Sequence, residues 1–181
     1  SDGLSDGDEF ALKTNPNAAD SDNDETTDSQ ELHKQSIRTS FNQPDKSEIT
    51  SVEVSFSATD NINKTTRITT NKGNIKTANL YGLIGSPVRI NTQSEFDKAS
   101  IQFTYDEAQL GDTSEHDLGI IWYKEEEEKF ESLNTVLDTR KNTISFETTQ
   151  LREYMIVDKK KWMELWSKET DYSKKLGVNS D

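Results

Sequence analysis

The sequence predicts a mainly β protein, an antiparallel β-sandwich of about eight strands preceded by an acidic loop segment and followed by a C-terminal amphipathic helix. Three observations predict it. From Glu48 onward, short runs of alternating apolar and polar residues recur with turn-forming residues between them and no helical period connecting them. Only 30% of the 181 residues are apolar, which suffices for a sandwich because alternation sends every second side chain inward and leaves the other face wet. The net charge of −13 is also unevenly spread: residues 1–31 hold ten acids and one base, net −9, and the other 150 hold 24 acids and 20 bases, net −4. That split predicts a small charge-dense module joined to one ordinary domain. The expected organisation is a repeat segment over 1–34, a linker over 35–47, the sandwich over 48–157, and a helix with a lead into a following domain over 158–181.

The acidic segment reads Asp20-x-Asp22-x-Asp24-Glu25-Thr26-x-Asp28-x-x-Glu31. Carboxylates fall at positions 1, 3, 5, 9 and 12 of a twelve-residue calcium loop, and Thr26 offers its backbone carbonyl at position 7. A hard cation takes six to eight oxygens, and a tightly coiled loop supplies them from alternate residues before a bidentate Glu completes the shell. With acids at 34 of 181 residues, five fixed positions match by chance at about 0.0002 per window, a rate that local acid richness raises. A shifted second copy reinforces the match. Asp2, Gly3, Asp6 and Glu9 precede Asp24, Glu25, Asp28 and Glu31 by 22 residues and occupy positions 5, 6, 9 and 12, with the Leu4 carbonyl at position 7. Positions 1 and 3 of that copy would precede Ser1, so the chain is expected to be a fragment of a longer protein. Position 6 normally carries Gly because the turn there needs a positive φ, and Glu25 in its place costs about 1–2 kcal/mol, equivalent to about tenfold in affinity. The competing reading is a solvated acidic tail too poor in apolar surface to order itself.

Asp2-Gly-Leu-Ser-Asp-Gly-Asp-Glu9, Thr14-Asn-Pro-Asn17 and Ala19-Asp-Ser-Asp-Asn-Asp24 resemble the thrombospondin type-3-like calcium repeats of bacterial exported and surface proteins. The resemblance covers about 31 residues. It implies that the aspartates chelate Ca2+ and stiffen a connector between folded modules.

In the main domain, Val52, Val54 and Phe56 alternate with Glu53, Ser55 and Ser57, the period of a half-buried strand. Further strands are predicted at Thr65 to Thr70, Val88 to Asn91, Ala99 to Tyr105, Leu118 to Tyr123, Phe130 to Leu133, Thr143 to Thr148 and Tyr154 to Val157. Turns are predicted at Asn71-Lys-Gly73, Gly111-Asp112 and Lys141-Asn142. Four consecutive carboxylates, Glu125 to Glu128, point alternately to opposite sides of an extended chain and do not converge on one ion, so they predict a solvated hairpin tip. Asp158 is suited to cap a helix running to about Lys168, with Trp162, Leu165 and Trp166 on one face. Those Trp residues either pack the helix on the sheet or form a sugar platform. Trp122, inside an apolar strand, is expected in the core.

Residues Ser86 to Asp158 resemble a β-domain placed ahead of von Willebrand factor A domains in bacterial surface proteins, through Ser86-Pro-Val-Arg-Ile90, Phe96, Ala99 to Asp106, Leu110, Asp117-Leu118, Trp122-Tyr123 and Tyr154. Relatives often end in Thr-His-Phe-Ser, and related domains cleave themselves between Phe and Ser. Here the chain reads Thr149-Gln-Leu-Arg152, with neither the His base nor the Ser nucleophile, so that chemistry is not expected. The resemblance makes Leu176 to Asp181 the lead into a following domain.

Zero Cys excludes disulfides and Cys-ligated zinc, and His33 and His116 are too few for a multi-His centre. The acidic charge disfavours a nucleic-acid partner, and no run of apolar residues is long enough to span a membrane. No nucleophile elbow, P-loop or dinucleotide glycine pattern occurs. The leading expectation is a non-catalytic, Ca2+-stiffened structural or adhesion-associated module of a secreted or cell-surface protein, bacterial and Gram-positive. Its expected partners are calcium, neighbouring domains such as a von Willebrand factor A domain, and an extracellular host protein or glycan. The alternatives are a carbohydrate- or host-protein-binding module, and a hydrolytic or self-modifying domain such as one carrying a Lys–Asn isopeptide cross-link.

Overall fold

The computed structural model describes residues 2–41, 47–70, 81–127 and 129–168, with backbone only at 125 and 165–168. Ten strands form two antiparallel sheets of five. The first has the order β1-β2-β5-β9-β8, from His33–Ser40 (β1), Ile49–Ala58 (β2), Ala99–Tyr105 (β5), Thr143–Thr148 (β9) and Val136–Asp138 (β8). The second has the order β3-β4-β10-β6-β7, from Thr66–Thr70 (β3), Leu83–Thr92 (β4), Glu153–Asp158 (β10), Leu118–Lys124 (β6) and Lys129–Ser132 (β7). Helix α1 (Asp6–Leu12) precedes the sheets, the single turn α2 (Ile62–Thr65) leads into β3, and α3 (Lys159–Lys168) follows β10.

The alternating pattern of β2 explains the sandwich. Val52, Val54, Phe56 and Ala58 point inward and are buried, while Glu53, Ser55 and Ser57 stay partly exposed. Ile101 and Phe103 of β5 and Ile144 and Phe146 of β9 continue this surface, and Val88, Ile90, Ile120, Tyr154 and Ile156 of the second sheet meet it in one core cluster. The second sheet is covered on its other face as well. Ile121, Phe130, Met155 and Val157 form a separate buried cluster against which Trp162 of α3 packs, with its ring edge-on to Phe130 at 6.4 Å between centroids. Burying such side chains contributes about 1.5–3 kcal/mol each. Trp162 therefore fastens the helix to the sheet; the side chains of Leu165 and Trp166 lie outside the described residues.

Two strands exceed the eight expected from sequence. Residues 35–40, read there as the start of a linker, belong to β1, which pairs with β2 along its whole length from His33↔Ala58 to Ser40↔Ser51. The short β8 was likewise not anticipated. β4 begins at Leu83, ahead of the expected Val88, and carries a bulge. Tyr154 pairs with Val88 but Ile156 pairs with Ile84, which places Gly85, Ser86 and Pro87 in an irregular stretch. Gly85 has φ +69, and an added Cβ would lie 2.8 Å from Ile49 Cγ1, so both its conformation and its close approach require glycine. Trp122 is only partly buried against the core rather than enclosed by it. Glu125 to Glu127 form a 3-10 turn between β6 and β7, as the hairpin-tip reading implied; Glu128, the Asn71-Lys-Gly73 turn, residues 42–46 and the Leu176 to Asp181 lead lie outside the described residues.

Candidate metal loop

The loop that starts at Asp20 is wound by its own carboxylates. Asp20 Oδ1 accepts from the Asn23 N–H at 2.6 Å and Oδ2 from the Glu25 N–H at 3.0 Å, while Asp22 and Asp24 accept from the N–H groups two residues on. This coiling turns alternate side chains to one side. Oxygens of Asp20, Asp22 and Asp24 all lie within 4.8 Å of one another, a spacing suited to a shared cation. The backbone is left-handed at Asn23 (φ 62) and at Glu25 (φ 77), the position where a calcium loop ordinarily holds glycine. The turn thus forms with Glu25 despite the local cost of about 1–2 kcal/mol.

The other expected ligands sit around this triad in different ways. Thr26 is partly buried, and its N–H donates to Asp24 Oδ1 at 2.8 Å. Asp28 is fully buried, and both of its oxygens accept from Ser21, Oδ1 from the N–H at 2.9 Å and Oδ2 from the hydroxyl at 2.7 Å. It staples the loop and is not among the carboxylates that converge in the triad. Glu31 is half-buried, and its pKa is raised by burial and then by the charges of Asp22 and Asp24.

The first, shorter copy is tied to the second. Asp2 Oδ2 accepts from the Ser29 N–H at 2.8 Å, the Ser29 hydroxyl donates to the Asp2 carbonyl at 3.1 Å, and Asp2 Oδ1 accepts from the Leu4 N–H at 3.2 Å. Glu9 is only 3% exposed, and burial, followed by the charges of Asp2, Asp6 and Asp28, raises its pKa. Asp6 is exposed in the first turn of α1. Carboxylates from both copies therefore crowd one another, an arrangement that a divalent cation relieves.

Contacts that sequence reasoning missed hold this segment to the sandwich. Both oxygens of Asp8 receive Lys64 Nζ, at 2.6 and 2.8 Å, and Asn61 Nδ2 donates to Oδ1 at 3.0 Å. His33 Nε2 donates to the Asp28 carbonyl at 2.8 Å, which fixes the proton on that nitrogen because a carbonyl only accepts. The Lys64 hydrogen bond, reinforced by Ser5 and Asn61, holds Asp8 down to a pKa of about 2. A depressed carboxylate stabilises the fold above its ordinary value and loses that contribution as pH falls through the folded value. Acidification from pH 4 to pH 2 should therefore release α1 from Lys64 at a cost of about 1 kcal/mol, a figure discounted for the exposure of the lysine. Asp8→Asn should remove most of this part of the pH dependence in acid-denaturation curves.

Comparison of the chain with protein-family models, with curated proteins and with solved structures returns no match.

Proposed function

We propose that this chain is a non-catalytic structural module of a secreted or cell-surface bacterial protein, in which Ca2+ bound by the acidic segment rigidifies its junction with the β-sandwich. The observation that carries this reading is the convergence of Asp20, Asp22 and Asp24 in a loop that adopts a left-handed turn at Glu25. Three carboxylates held together without a cation repel one another, and Glu9 and Glu31, whose pKa values are raised, extend the crowding. A hard divalent cation with oxygen preference removes that repulsion. The Asp8–Lys64 and His33–Asp28 contacts then transmit the ordering to the sandwich. This supports a spacer or adhesion-associated role between neighbouring domains, such as a von Willebrand factor A domain.

Calorimetric titration of the intact chain with CaCl2, paired with thermal melts in calcium and in chelator, tests the proposal. Binding heat and a rise in melting temperature are expected with calcium, and both should weaken as pH falls, because protons compete for Glu9 and Glu31, whose pKa values are raised. No heat and no shift would overturn the calcium reading.

A further inference from the structure

An open pocket of about 450 Å3 lies between the β6–β7 hairpin and the β9–β10 connection. Its size falls within the range of about 300–1,000 Å3 common for small-molecule sites. Trp122, Leu133 and Tyr154 contribute aromatic and aliphatic surface, and Trp122 and Leu133 are partly buried against the main core. The polar groups around them are fixed by one another. The Arg152 guanidinium lies 4.7 Å from the Trp122 ring centroid, and its Nε and Nη2 donate to Gln150 Oε1 at 2.8 and 2.5 Å. Lys124 Nζ lies 5.2 Å from the same ring and pairs with Glu131 at 2.5 Å and with Glu127 at 3.3 Å.

The chemistry of the lining selects a ligand class. Two cations face Glu126, Glu127 and Glu131, so the rim carries nearly balanced charge with donors and acceptors side by side. An anionic ligand would meet three carboxylates, and a cationic one would meet the like charges of Arg152 and Lys124. A neutral polyol avoids both conflicts, because each hydroxyl donates to a carboxylate and accepts from a guanidinium or ammonium while its C–H flank rests on apolar surface. Room for it is cheap to make. Glu126 is 68% exposed and meets Arg152 Nη1 at only 3.5 Å, so a ligand hydroxyl displaces it at little cost.

We infer that this pocket binds a neutral saccharide, with Leu133 and the exposed part of Trp122 as its apolar surface, Arg152 as the main donor and Glu127 and Glu131 as acceptors. The site is separate from the acidic loops and independent of the calcium reading. The test is titration of the intact chain with neutral cello-, chito-, malto- and xylo-oligosaccharides and with glucuronic acid, followed by Trp fluorescence and by chemical shifts, in calcium and again in chelator. At least one neutral oligosaccharide should saturate the site, and glucuronic acid should bind more weakly. Arg152→Ala should weaken binding about tenfold, the worth of one charged hydrogen bond, while Trp162→Phe leaves it unchanged. Melting curves of each variant separate loss of binding from loss of fold, and Trp122→Phe, which keeps an aromatic surface, should bind measurably. Failure of every neutral oligosaccharide, tighter binding of glucuronic acid, or indifference to Arg152→Ala would overturn the inference.

Discussion

Asp20→Ala is expected to abolish calcium binding at the 20–31 loop, with a loss of at least about a hundredfold, on the scale of two charge-assisted hydrogen bonds. The side chain has two duties. It forms one corner of the triad, and it accepts the N–H groups of Asn23 and Glu25 that wind the loop through two left-handed residues. Truncation removes a candidate ligand and releases the coil that brings Asp22 and Asp24 together. Asp20→Asn keeps one acceptor while deleting a charge, so its affinity should fall between the two. Calorimetric titration of both variants measures this order, and wild-type affinity in Asp20→Ala would remove Asp20 from the site.

Asp158→Ala is expected to destabilise the sandwich by about 2–4 kcal/mol, from the loss of a helix cap and of a buried hydrogen-bond acceptor. Asp158 is buried at the junction of β10 and α3. Its Oδ1 accepts from the N–H groups of Lys160 and Lys161, and its Oδ2 from the Thr113 hydroxyl at 2.9 Å with Lys161 Nζ at 3.6 Å. Burial acts to raise its pKa, but the backbone N–H of Lys161 and the Thr113 hydroxyl outweigh it and hold the carboxyl below its ordinary value. The cap is also closely approached from outside. Gly82 has φ +81, and an added Cβ there would lie 3.1 Å from the Asp158 carbonyl and 3.2 Å from the Trp162 nitrogen. Urea unfolding should show a lower midpoint for Asp158→Ala, and Asp158→Asn should recover part of it because the amide oxygen still caps the helix.

Where apolar alternation is strong, the strands were legible from residues alone. β2 with Val52, Val54 and Phe56, and β5 with Ile101 and Phe103, fall where the pattern places them. β1 was hidden because an edge strand needs little apolar surface: of its half-covered residues His33, Gln35, Ile37 and Thr39, only Ile37 is strongly apolar. Gln35 works through its amide instead, donating to the Asp60 carbonyl at 2.7 Å and accepting from the Ile62 N–H at 3.1 Å. The early part of β4 was hidden by Gly85 and Pro87, which read as breakers but are accommodated by the bulge. Asp158 was readable as a helix cap because capping is local, whereas its bond to Thr113 spans 45 residues.

The candidate metal site divides along the same line. The fixed spacing of Asp20, Asp22 and Asp24 pointed to their convergence, and the loop convention pointed to the positive φ at Glu25. The pairing of Asp28 with Ser21 escaped notice, since a serine one residue past the first ligand carries no spacing signal. Nor did the sequence indicate that Asp8, one acid among ten in that segment, faces Lys64 across 56 positions.

Amide hydrogen exchange across residues 19–31, compared in calcium and in chelator, tests the central claim most directly. Calcium is expected to slow exchange at Asn23, Glu25 and Thr26, whose N–H groups bond the triad carboxylates, at Ser21, which is stapled to Asp28 within the loop, and at Ser29, which ties the loop to the first copy. Slowing should extend to His33 through its bond to Asp28 and should be larger across this segment than in the sandwich core. Identical exchange in calcium and chelator throughout this segment would contradict the account.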